Sequence, residues 1–99
     1  MQIQLADFPD NGNPNLKAFA TEKVERLGKF FDRIVDVDVY LKKGNDPAGE
    51  ATAEMRVNIP TTRLFCTEHA ESYEEALDKA SKAMERQLIR WKEKHSSHG

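Results

Sequence analysis

The sequence predicts an α+β fold of order β-α-β-β-β-α, a four-stranded mixed sheet with two helices packed on one face. Three observations predict it. Two long segments repeat apolar side chains at spacings of three and four, the period of a helix with one buried stripe. Four shorter segments alternate apolar and polar residues, the period of a strand with one buried face. Clusters of Gly, Pro, Asn and Asp punctuate them. A chain of 99 residues has room for one core, and setting both stripes on the apolar sheet face buries them all in two layers.

Each element follows from its own residues. "MQIQLADF" alternates Ile3 and Leu5 with polar neighbours and predicts a short first strand. "PDNGNPN" is a turn cluster in which Asn13 suits a helix N-cap and Pro14 the first helical position. Leu16, Ala20, Val24, Leu27, Phe31 and Ile34 then mark one face of a helix of about five turns, widened by Phe19 and Phe30. Gly28 inside it suits close packing. "IVDVDVYLKK" turns Val35, Val37, Val39 and Leu41 one way and Asp36, Asp38, Tyr40 and Lys42 the other. After the loop "GNDPAG", Ala51, Ala53, Met55, Val57 and Ile59 face inward from a third strand. "PTT" turns the chain into a fourth, with Leu64 and Cys66 inward. "SYEE" is a capping box, Ser72 at the N-cap and Glu75 three residues on. Tyr73, Leu77, Ala80, Met84, Leu88 and Trp91 line the helix that follows, to about His95, leaving residues 96–99 as a frayed tail. A βαβ crossover makes the first two strands parallel and the others hairpins.

Composition excludes several classes. No apolar run approaches the ~20 residues of a membrane helix. The first residues lack the basic and apolar regions of a signal peptide. A single cysteine, Cys66, cannot form an internal disulfide, which fits a reducing, cytoplasmic setting. Cys66 and His69 lie three apart on a strand and so face opposite ways, without a third group to orient them, and no catalytic site is expected. His69, His95 and His98 do not make a metal spacing, and no cofactor is implied.

The charge is segregated. Net charge is −2, yet residues 14–34 hold five cations (Lys17, Lys23, Arg26, Lys29, Arg33) against three acids. Residues 79–95 hold six, Lys79, Lys82, Arg86, Arg90, Lys92 and Lys94, against two. These segments sum to +6 and the remainder to −8. Lys82, Arg86, Arg90 and Lys94 are each four apart, with Lys79 at the base of the row; like charges at that spacing cost roughly 0.2–0.5 kcal/mol per pair. Lys79 and Lys82 have acids four residues back, Glu75 and Asp78, whereas Arg86, Arg90 and Lys94 have none. A polyanion would relieve that repulsion. Acids at the helix start and cations at its end also complement the macrodipole, and both readings stand at this level. Trp91 lies on the apolar stripe and suits the core edge; Tyr40 suits cross-strand packing on the outer face, beside the acids Asp36, Asp38, Glu50 and Glu54.

Three segments carry a resemblance. "ERLGKFFDRI", the strand ending "VYLK", and "SYEEALDKASKAMERQLIRWKEK" are similar to the ribosome hibernation-promoting factor family, also called ribosome-associated inhibitor A and earlier σ54 modulation protein. The resemblance spans nearly the whole chain and implies the same β-α-β-β-β-α fold. It implies a non-enzymatic protein that binds the small ribosomal subunit in starvation or stationary phase. Members fill the channel between head and body where messenger and transfer RNA sit, so translation stops by occlusion. Lys23, Arg26, Arg33, Lys42, Arg86, Arg90, Lys92 and Lys94 fall where the family carries basic residues, which implies phosphate contacts. Lys29, Lys79 and Lys82 join them from the charge pattern, although Ala83 stands where the family often has lysine. The partners implied are ribosomal RNA and ribosomal proteins, with no membrane or small-molecule substrate, and a monomer off the ribosome. Residues 1–99 are expected to form one ribosome-binding domain, a short form without the C-terminal dimerisation domain of long members. The alternative is a protein-interaction module, of the σ54-modulation kind, acting through the acidic outer sheet face.

Overall fold

The computed structural model describes residues 1–6, 8, 14–43 and 50–96. Six elements follow in the predicted order: β1 (Gln2–Ala6), α1 (Pro14–Phe30), β2 (Asp36–Lys43), β3 (Ala51–Ile59), β4 (Thr62–Ala70) and α2 (Tyr73–Ser96). The sheet order is β1-β2-β3-β4, with β1 parallel to β2 and the other pairs antiparallel. The turn cluster with its Asn13 cap and the loop after β2 lie outside the described residues.

Alternation sets the two faces of the sheet. Val37, Val39, Leu41, Ala51, Ala53, Met55, Val57, Ile59 and Cys66 point inward and are buried. The stripes of both helices meet them: Leu16, Ala20, Val24 and Leu27 from α1, Leu77, Ala80, Met84 and Leu88 from α2. Ile3, Leu5, Leu64, Tyr73 and Trp91 close the margins half-buried. Ser72 caps α2 as its box predicts, its Oγ accepting the Glu75 N–H at 3.1 Å.

Three local expectations change. α1 stops at Phe30 rather than running through Ile34; Phe31 and Ile34 remain buried, but from the turn that leads into β2. Val35 is not buried in the core. It lies just before β2, tied by backbone bonds to Gln2 and Asn58, and is 53% exposed. α2 includes Ser96, one residue into the expected tail. Gly28 makes room for Met1: a Cβ there would stand 2.8 Å from the Met1 Cε.

Strand register orients the whole molecule. Gln2, Asp36, Asn58 and Arg63 mark one end of the sheet; Ala6, Lys43, Ala51 and Ala70 mark the other. α1 finishes just before β2, so its C-terminus lies at the first end. α2 starts just after Ala70, at the second end, and runs parallel to α1. Contacts from Lys23 to Asp78 and from Phe31 to Trp91 fix that pairing. At ~1.5 Å per residue α2 is about 36 Å long, within a body of 50 × 23 × 17 Å.

Candidate nucleic-acid interface

The parallel helices separate charge along the molecule. Where α2 begins lie Glu50, Glu71, Glu74 and Glu75. Where both helices finish lie Lys29, Arg33, Arg86, Arg90, Lys92 and Lys94, with Arg26 one turn back on α1. Lys42, Lys43 and Lys79 offset much of the acid at the first of these ends, whereas at the second the cations outnumber Asp32, Glu85 and Glu93; the ends are called acidic and basic by those groups.

The eleven predicted contact residues divide by position. Lys42 and Lys79 lie toward the acidic end and are engaged: Lys42 Nζ is 3.6 Å from Glu54 Oε2, and Lys79 Nζ donates to the His69 carbonyl at 3.1 Å. Lys79 thus ties α2 to the outer edge of β4, rather than to Glu75 one turn back. Lys23 and Lys82 meet midway, on the two oxygens of Asp78, at 2.7 and 3.1 Å. Lys23 lies only 17% exposed in the groove between the helices. Hydrogen bonds from Lys23 and then Lys82 hold the Asp78 carboxyl below its ordinary range. One carboxylate therefore engages two cations that sequence reading assigned to RNA, and offsets one of their two charges.

The other seven gather at the basic end. Among the described residues, Arg26, Lys29, Arg33, Arg86, Arg90 and Lys94 make no ion pair. Lys92 Nζ stands 5.9 Å from the centre of the Phe30 ring, a cation–π geometry. The basic row on α2 is not straight. At about 100° per residue, each four-residue step turns a further ~40°. The row starts beside α1 at Lys82, passes the outermost line at Arg86, and reaches the β4 flank by Lys94. It wraps the free end of the helix, presenting cations over a wide arc.

The outer sheet face is mixed rather than acidic. Asp36, Asp38, Glu50 and Glu54 do lie there, but so do Lys42, Arg56 and Arg63. Asn58 donates to Asp36, and Arg63 Nε donates to Asn58 Oδ1 at 2.9 Å. The Arg56 guanidinium stacks between Tyr40, at 5.0 Å, and Phe65, at 5.9 Å. Sequence reading overlooked this stack; Tyr40, Arg56 and Phe65 sit on three strands, and only the register aligns them. Cys66 is a core residue with its thiol pushed up to about 11, by burial first and Glu68 second. Its Sγ contacts the Ala80 carbonyl. His69, on the opposite face, shares a hydrogen bond with Thr52 Oγ1 at 2.8 Å. Trp91 packs edge-on against Phe31, ring centres 5.8 Å apart. No helix among the described residues is long and apolar enough to cross a membrane, and no group of three or more His, Cys, Asp or Glu among them could hold a metal ion.

Comparison with known proteins places this geometry in a lineage. Two solved structures share the fold. A ribosomal subunit interface protein from Coxiella burnetii has a TM-score of 0.81 at 17% identity, covering 93% of this chain and 98% of that one. The N-terminal domain of Thermus thermophilus Protein Y has a TM-score of 0.73 at 20% identity, covering 91% and 94%. A ribosome hibernation promotion factor from Deinococcus radiodurans is 30% identical over 82 residues, 81% of this chain and 43% of that protein. The chain thus spans less than half the length of that relative. The family model for sigma 54 modulation protein / S30EA ribosomal protein matches residues 11–96. The chain therefore belongs to that family of ribosome-associated hibernation factors, which are not enzymes.

Proposed function

We propose that this chain is a ribosome hibernation factor that binds the small ribosomal subunit with its basic end. It lodges in the channel used by messenger and transfer RNA and halts translation by filling it, in the cytoplasm of starved or stationary-phase cells. The observation that carries this reading is the gathering, where α1 and α2 finish together, of six cations that make no ion pair among the described residues. Left alone they repel one another; ribosomal-RNA phosphates would neutralise them and release counterions. The long narrow body and wrapped row suit a channel with phosphates on more than one wall. The Deinococcus relative's name supports the same reading. Off the ribosome the chain is a monomer. Arg26, Lys29, Arg33, Arg86, Arg90 and Lys94 supply the main phosphate contacts, with Lys92 beside them over the Phe30 ring. Lys23, Lys82, Lys42 and Lys79 contribute less, because each already has an internal partner.

The test is competition. Small subunits should retain the protein on sedimentation, and transfer RNA bound with messenger at the A and P sites should displace it. Retention undiminished by saturating transfer RNA would contradict occlusion of that channel, and no retention at low salt would contradict ribosome binding.

A further inference from the structure

The basic end holds an apolar surface that charge alone does not explain. Phe30 and Ile89 are both 38% exposed, among the few large hydrophobic side chains that the described residues leave in water. Phe30 closes α1 and lines the interhelical groove with Lys23, Arg26, Leu27, Asp78, Lys82 and Glu85. On α2, residues 85, 89 and 92 share the side that faces α1, at spacings of four and three. Glu85 lines the groove with Phe30, and Lys92 stands over its ring. Ile89 lies between them on that side. Phe30 thus stands on the α1 side of the groove beside Arg26, and Ile89 on the α2 side between Glu85 and Lys92.

We infer that Phe30, with Ile89 on the facing helix, is a stacking platform for one unpaired RNA base, with Arg26, which lines the same groove, placed for a flanking phosphate. This deepens the ribosome-binding reading and rests on it. Charge complementarity selects the occupant: around the ring Lys23, Arg26, Lys82 and Lys92 outnumber Asp78 and Glu85, which disfavours another basic surface and favours a polyanion. A polyanion in duplex form buries its bases and offers the ring only phosphate and sugar. A single-stranded or extruded nucleotide offers a π-face and a phosphate together. The neighbouring Phe31 is not the platform, since it is buried against Trp91.

The prediction separates stacking from charge. Phe30→Ala and Phe30→Leu should weaken binding to small subunits by about 5- to 140-fold, the range of one lost base stack. The slope of log affinity against log salt should stay as in the wild type, because no phosphate contact is removed. Phe30→Trp should restore affinity, whereas Phe30→Leu keeps apolar area without the ring. A short single-stranded oligoribonucleotide should show the same order of variants, and its duplex form should not. Thermal melts of each variant report whether the fold is kept. Wild-type affinity in Phe30→Ala overturns the platform while leaving ribosome binding intact. Equal losses on single strand and duplex also overturn it, as does a wild-type dimer in sedimentation that Phe30→Ala dissolves. A wild-type protein that binds neither subunits nor oligonucleotide at low salt overturns the ribosome reading and the platform together.

Discussion

The acidic and basic ends of this molecule are two ends of the same helix pair, yet they spend their charges differently. At the acidic end and midway, four of the predicted contact cations are engaged internally. Lys79 holds the β4 edge, Lys42 meets Glu54, and Asp78 clamps Lys23 and Lys82. At the basic end six cations stand without such partners among the described residues, beside an exposed phenylalanine. A net charge of −2 describes neither end. The difference teaches that cation count is a poor guide to an RNA surface, whereas cations left unpaired by the fold are a better one.

The comparison can be broken most severely from beneath. Leu88 is fully buried on the α2 turn that carries Ile89 and Arg90. Leu88→Ala should cost about 2–5 kcal/mol, read as a large fall in melting temperature, with ribosome retention lost as that turn frays. Reversing charge at the basic end comes next. Arg86→Glu with Arg90→Glu should lower ribosome affinity tenfold or more while the melting temperature holds, since both side chains are exposed. At the acidic end, Ser72→Ala removes the α2 cap and should cost about 1 kcal/mol of stability. Ribosome affinity should stay unchanged, which sharpens the separation of the two ends.

The smallest effect belongs to the clamp between them. Asp78→Asn should cost at most about 1 kcal/mol, as for other exposed ion pairs, and should tighten ribosome binding slightly by freeing Lys23 and Lys82. The clamp also carries a pH signature. The folded-state pKa of Asp78 lies below its unfolded value of ~3.9. Its stabilising contribution is therefore complete above that value and is lost as pH falls through the lower, folded one. Acid titration should show a small loss of stability in the wild type there, and less of it in Asp78→Asn.

Much of this was legible in the sequence, for physical reasons that particular residues show. Periodicity is local, so the stripes from Leu16 to Leu27 and from Leu77 to Trp91 and the inward set of β3 were readable, as was the Ser72 cap. Pairing across the fold is not local. Lys23 and Asp78 are 55 residues apart, and nothing near either one announces the other. The same holds for Lys79, whose partner is a strand carbonyl, and for Arg56, whose two rings come from neighbouring strands. Helix ends are a third limit. Phe30 and Phe31 look equivalent in "GKFFDR", but α1 stops between them, leaving one half in water and the other in the core. Val35 continued the strand's alternation on paper and fell just outside the strand.

The central claim is that the basic end, and not the protein's charge as a whole, meets the phosphates. It is tested most directly by the salt dependence of sedimentation with small subunits, measured for three proteins side by side. With about six phosphates neutralised, the wild type should give a log–log slope of about −4 to −5. Arg86→Glu with Arg90→Glu should be shallower by about 2, and Glu71→Gln with Glu74→Gln at the acidic end should keep the wild-type slope. A wild-type slope near zero, or the same change in slope from either end, would contradict the account.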